Sequence, residues 1–129
     1  MQTVVVVAAF SALTAVMLGA FGAHGLKGVL SASELNTFEI AVRYQMYHGL
    51  AMLVLPVLTN VVARPWLRRA AIAFGVGIVL FSGSLYLLIF TGSKWFGPVT
   101  PLGGVAFMVG WIMLVVGVYK YSGAGEHHG

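Results

Sequence analysis

Two short stretches hold most of the side chains that could do chemistry. The first runs Gly19-Ala-Phe-Gly-Ala-His24-Gly-Leu26 and is followed by Lys27. The second is Tyr44-Gln45-Met46-Tyr47-His48, with Glu39 and Arg43 just before it. Two imidazoles, a carboxylate, a guanidinium and two phenols suit a proton relay or a small-solute path. Histidine titrates near neutral pH, and ionisable groups in apolar helices are costly enough to suggest a task. Each also has a plain structural reading. Glu39 before Arg43 at i, i+4 is the favourable order for a helical ion pair, which neutralises both charges. His48 is within reach of Tyr44, Gln45 or a carbonyl on another helix. His24 follows a glycine-rich helix end whose terminal carbonyls it could meet. For Glu39–Arg43 and for His48 the structural reading carries more weight.

Spacing sorts these residues by face. At about 100° per residue, Glu39, Arg43 and Tyr47 share one side of a helix. Thr37, Tyr44 and His48 lie roughly opposite, with Gln45 beside them. A helix with two polar faces belongs at the centre of a bundle or against a partner. If the first two helices pack together, His24, Lys27, Glu39 and Arg43 form one polar cap, with His48 about two turns deeper. No metal site is expected, because neither H-x-x-x-H nor Glu-x-x-His spacing occurs. His127-His128 is suited only to adventitious metal. The chain has no cysteine, hence no thiolate nucleophile and no disulfide. It has no phosphate-binding glycine loop, no G-x-S-x-G and no H-E-x-x-H. Neither an enzyme nor a cofactor is expected.

The elements that position these residues follow from composition. The chain has 129 residues, 60% of them hydrophobic and 8% charged, with a mean hydropathy of +0.97. Soluble domains carry roughly 25% charged residues. So few charges cannot solvate a globule, which excludes a soluble enzyme domain, and a disordered chain would be poor in apolar residues. At about 20 apolar residues per crossing, this length holds four or five spans in one membrane domain. The net charge is +4, and its densest part is Arg64, Arg68 and Arg69. That cluster is read as contact with anionic lipid headgroups, not nucleic acid.

The first span covers about residues 3–23. A secretory signal is the rival reading, but the segment lacks a positive leading region. Ser11, Ala15, Gly19 and Ala23 form a small-residue stripe, with Ala8 and Ala12 beside it, suited to close helix packing. Ser31-Ala-Ser-Glu34 is a capping box. It opens a helix that is amphipathic at first and apolar from Leu50, with a span at about 40–62. Pro56 is expected to kink that span. Arg64-Pro65 breaks the chain before the third span, about 68–90, with Trp66 at interface depth. The third span carries Gly75, Gly77 and Ser82-Gly83-Ser84. Thr100-Pro101 supplies an N-cap and a first-turn proline for the fourth span, about 101–120. Gly103, Gly110 and Gly117 recur every seven residues along it, with Gly104 adjacent. Residues 122–129 read as a polar, mobile tail.

The expected fold is therefore an all-α integral membrane protein, a four-transmembrane-helix up-down bundle over residues 1–121. With four spans, Arg64, Arg68, Arg69 and Lys120 fall on the side of the termini. Lys27, Arg43 and Lys94 fall on the other, so the positive-inside rule places both termini in the cytoplasm.

The ordered motifs carry a family likeness. They are Gly19 to Leu26, then Phe38, then Tyr44 to His48 with Leu50-Ala51, then Thr100-Pro-Leu-Gly-Gly104 with Gly110-Trp111. Together they resemble the YgdD/YwdK-like family, small bacterial membrane proteins with a domain of unknown function (number four-two-three). The resemblance covers nearly the whole chain and implies a plasma-membrane protein of four helices. It marks His24, Tyr44, Gln45, Tyr47, His48, Pro101, Gly103, Gly104 and Trp111 as residues to test, and brings no activity with it.

The leading expectation is a non-enzymatic accessory, assembly or structural subunit. It would contact the lipid bilayer and pack through its glycine-rich faces into a homo-oligomer or a larger membrane complex. The alternative is an oligomeric proton or small-solute conductor using His24, Glu39, Arg43 and His48, with Ser82 and Ser84 opposite. A second alternative is lipid or quinone binding, with Tyr44, Tyr47 and Trp95 stacking on the ligand.

Overall fold

Helix α1, Gln2–His24, contains neither proline nor a charged residue before its last position, so nothing interrupts its backbone ladder. It belongs to a computed structural model that describes the backbone of residues 1–126 and the side chains of residues 1–121. The expected polar tail at 122–129, with His127 and His128, lies outside the described side chains. Gly25 closes α1 by donating its N–H to the Phe21 carbonyl at 2.6 Å, and Gly28 turns the chain with φ +84.

Helix α2, Ala32–Val54, starts with the capping box read from the sequence. The Glu34 N–H donates to Ser31 Oγ at 3.1 Å, and the Ser31 N–H donates to Glu34 Oε1 at 2.9 Å. The Ser31 N–H, and then its hydroxyl, hold the Glu34 carboxyl below the usual glutamate range. Pro56 does not kink a continuing helix as expected. The α-helix ends at Val54, and Leu55–Leu58 tightens into a 3₁₀ turn. The Leu55 N–H turns to the Met52 carbonyl, and proline has no donor to restore the wider ladder.

Next comes a continuous rod of 28 residues, Arg64–Thr91. It consists of α3 (Arg64–Gly77), a π-helical turn (Ile78–Gly83) and α4 (Ser84–Thr91). Gly92, at φ +68, stops it. A short 3₁₀ turn, Lys94–Phe96, leads into α5, Val99–Glu126. Thr100 is not the N-cap expected of it. It already lies inside α5, and its hydroxyl meets Ser84 Oγ at 2.6 Å.

The described residues are thus helical, with four long rods and no strand. Three of the rods, Gln2–His24, Arg64–Thr91 and Lys94–Tyr121, are long and apolar enough to cross a membrane. The fourth, α2, has 23 residues but is polar in its first half.

Helix α1 packs on α2, the rod packs on α5, and α2 lies between α1 and the rod. Only one of its two polar faces is covered there: Gln45 and His48 are buried, whereas Glu39, Arg43 and Tyr47 are exposed. Phe38, Phe74, Leu55, Leu67 and Val62 fill the interior. The small residues admit these large ones. A Cβ on Gly22 would strike the Phe38 ring, and one on Gly49 would meet Ser11 Oγ at 3.2 Å. On α5, Gly103 lies on the backbone of Leu80 and Phe81, Gly110 on the Phe74 ring, and Gly117 on Val62 and Trp66. Gly19 sits in ordinary contact with Val42, and Gly104 is nearly free. The α5 stripe is therefore taken up within the chain, as are Ser11 and Ala15 of the α1 stripe, whereas Ala23 is exposed. The expectation that one is left over for another protein does not hold for Gly103, Gly110 and Gly117.

Candidate functional site

Gln45 is the hub of the buried polar network. Its position on α2 is level with the middle of α1 and with α4, and its carboxamide uses both ends. Nε2 donates to the Ser11 carbonyl at 2.9 Å and to Thr14 Oγ1 at 2.7 Å. Oε1 accepts from the Tyr86 hydroxyl at 2.8 Å. A single side chain thereby ties three helices together. One turn away, Ser82 in the π-helical turn donates to the Ala41 carbonyl of α2 at 2.7 Å.

His48 forms the second node, facing α5. Its Nδ1 lies 2.8 Å from the Tyr44 carbonyl, one turn back on the same helix. Its Nε2 accepts the Trp111 indole N–H at 3.2 Å. An indole only donates, so Nε2 carries no proton and the hydrogen sits on Nδ1, directed at the Tyr44 carbonyl. The imidazole also stacks on Phe107, with centroids 3.6 Å apart and planes at 11°. Tyr44 stacks on Phe81 at 4.8 Å and 25°. Phe74 and Trp111 close the aromatic cluster with centroids at 4.8 Å.

Of the expected polar cap, the structure brings together only Glu39 and Arg43. Their atoms stand 3.7 Å apart with the side chains 60% and 58% exposed. His24 and Lys27 are exposed and make no side-chain bond among the described residues. Glu39, Arg43 and Tyr47 form the outer face of α2, whereas Gln45 and His48 are buried at 6% exposure each. The candidate residues thus divide into an exposed ion pair and a buried clamp. Tyr44 is partly covered by its stacking, and Trp95 is 85% exposed.

Two partners, Thr14 and Tyr86, are not marked in the sequence, whereas Trp111 is marked by the family resemblance but not as the partner of His48. Thr14 and Tyr86 complete the Gln45 network, and Trp111 supplies the donor for His48. A lone tyrosine in the apolar run from Ala70 to Phe90 is the available signal for Tyr86. Among the described residues, no buried side-chain nitrogen or oxygen lacks a hydrogen-bond partner. The arrangement can hold helices in register, and each of its buried side-chain polar atoms has a partner within the chain.

A family model described as "Protein of unknown function (DUF423)" matches residues 18–104. The chain is 45% identical over 128 residues to a UPF0382 membrane protein of Staphylococcus aureus, covering 95% of this chain and 100% of that one. It is 46% identical over 125 residues to one of Staphylococcus saprophyticus, covering 93% and 99%. It is 44% identical over 128 residues to the UPF0382 membrane protein YwdK of Bacillus subtilis, covering 94% and 99%. No solved structure matches the chain.

Proposed function

The chain belongs to the family described as DUF423, and from that premise we propose that it is a non-enzymatic accessory or assembly subunit of the bacterial plasma membrane. It crosses four times, with α2 as the fourth span beside the three apolar rods, and both termini face the cytoplasm. The observation that carries this reading is the closed state of the interior. Every buried polar side chain among the described residues has its partner within the chain. A catalyst or a conducting path needs donors or acceptors free to exchange partners. Here the imidazole of His48 has both nitrogens engaged and a ring stacked on one face.

With Gly103, Gly110 and Gly117 consumed internally, two of the remaining exposed surfaces suit a protein partner. One is the outer face of α1, where Val6, Phe10 and Met17 are at least 60% exposed. The other is the Glu39–Arg43–Tyr47 face of α2. The test is native mass spectrometry of the full chain, gently extracted from its own membrane. A stoichiometric partner or a defined homo-oligomer is expected. A lone monomer, together with proton flux in proteoliposomes that is lost in His48→Ala and Glu39→Gln, would overturn the reading in favour of a conductor.

A further inference from the structure

Three guanidiniums crowd the start of α3, and among the described residues none of them is paired with an acid. Arg64 and Arg68, one helical turn apart, line a cavity of about 340 Å³ with Pro56 and Thr59. On their other side they line a second cavity of about 300 Å³ with Arg69 and Ile72. Arg69 lies over the Trp66 ring, 4.6 Å from its centroid. Among the described residues the only ion pair is Glu39–Arg43, on α2. Like charges at i, i+4 repel, so Arg64 and Arg68 favour an anion between them.

The second cavity runs on into an apolar groove. Arg69 and Ile72 also line a space of about 310 Å³ between α3 and α5, whose walls are Ala73, Val76, Ala106, Val109 and Met113. From Arg69 to Val76 the helix advances about 10 Å. Ile72 is 61% exposed, Val76 43% and Val109 37%, so the groove opens sideways along its length. A cationic mouth leading into an apolar trough on a membrane-crossing rod matches the two halves of an anionic lipid.

We propose that this chain holds one anionic glycerophospholipid here. Its phosphate bridges Arg64 and Arg68, and one acyl chain lies in the α3–α5 groove. Charge complementarity selects the headgroup, since a zwitterionic lipid would bring an ammonium that meets no carboxylate among the described residues of the two cavities. The site requires only that the rod sits in a bilayer. It stands whether or not the accessory-subunit reading does.

The test uses the full-length protein in mixed micelles of phosphatidylglycerol and phosphatidylcholine with matched chains, reading retained lipid by native mass spectrometry. One phosphatidylglycerol per chain is expected, at about 30-fold preference, since each surface arginine contributes about fivefold towards an anionic lipid. Arg64→Gln combined with Arg68→Gln should remove that factor of about 30, leaving at most the roughly fivefold share of Arg69. Ala106→Phe fills the groove with the charges intact and should also release the lipid. Equal retention of both lipids by the unaltered protein overturns the proposal. So does a phosphatidylglycerol preference above about fivefold in the double variant or, where that variant does not fold, phosphatidylglycerol retention that survives Ala106→Phe. Inorganic phosphate that displaces phosphatidylglycerol at equal concentration would make the site one for free phosphate, and that too overturns it.

Discussion

The two buried nodes on α2 differ in how much of the molecule each holds. Gln45 engages Ser11, Thr14 and Tyr86 on two neighbouring helices, whereas His48 engages one other helix through a single indole donor. Interhelical hydrogen bonds in membranes average about 0.6 kcal/mol. Trp111→Phe, which keeps an aromatic ring and removes the donor, should therefore cost about 0.5–1.5 kcal/mol. Gln45→Leu strands the Tyr86 hydroxyl and removes the donor to Thr14, whose own hydroxyl keeps the Phe10 and Ser11 carbonyls, and should cost about 1–3 kcal/mol. Denaturation midpoints of the two variants in mixed detergent compare them directly. A smaller loss for Gln45→Leu than for Trp111→Phe would move the principal clamp to His48. At this scale the sequence tells only half. The polarity of Gln45 and His48 is plain, and Tyr44 is within reach of His48 by spacing, but their partners on other helices lie 31 to 63 residues away, and no spacing pairs them.

Helix α5 meets the rod along bare backbone, so its glycines make a sharp comparison. A Cβ on Gly103 would collide with the backbone of Phe81, which cannot swing aside like a side-chain end. At Gly104, one residue on, the nearest atom to a Cβ is Phe81 Cδ2 at 4.0 Å. Gly103→Ala should destabilise by about 1–3 kcal/mol, as overpacking does. Gly104→Ala should stay within about 0.5 kcal/mol of the parent, as surface changes do. Thermal unfolding of both in the same detergent decides, and equal losses would show that α5 is free to slide. The heptad of glycines is legible because its spacing alone marks one helix face. So is the capping box at Ser31 and Glu34, whose partners are three residues apart. The π-helical turn is not, because an extra residue in a run such as Ile78-Val-Leu-Phe81 leaves hydropathy unchanged. Pro56 suggests a bend where α2 in fact ends, because a proline marks the place where a ladder fails and leaves the geometry beyond it open.

For the molecule as a whole, the open quantity is which end of the bundle faces the cytoplasm. The chain contains no cysteine, so single introduced thiols report sidedness without background. Asn60→Cys, between α2 and α3, should react with a membrane-impermeant maleimide only after the cells are opened. Ser93→Cys, between α4 and α5, should react in intact cells once the outer barrier is passed. The opposite pattern would invert the topology, and labelling of both from one side would remove α3–α4 as a span. The rod also has a property that bears on how its length tolerates change. The π-helical turn at Ile78–Gly83 acts as a phase step, equivalent to one residue inserted into an α-helix. At about 100° per residue, it decouples the facing of α4 from that of α3. Ala73 and Phe74 therefore address α5 while Tyr86 addresses Gln45 from the same continuous rod. Deleting one residue within 78–83 would keep the helix and its hydropathy yet turn α4 like a key. It would swing Tyr86 off Gln45 and Ser84 off Thr100, and the rod would lose its lock on α2 with its length almost unchanged.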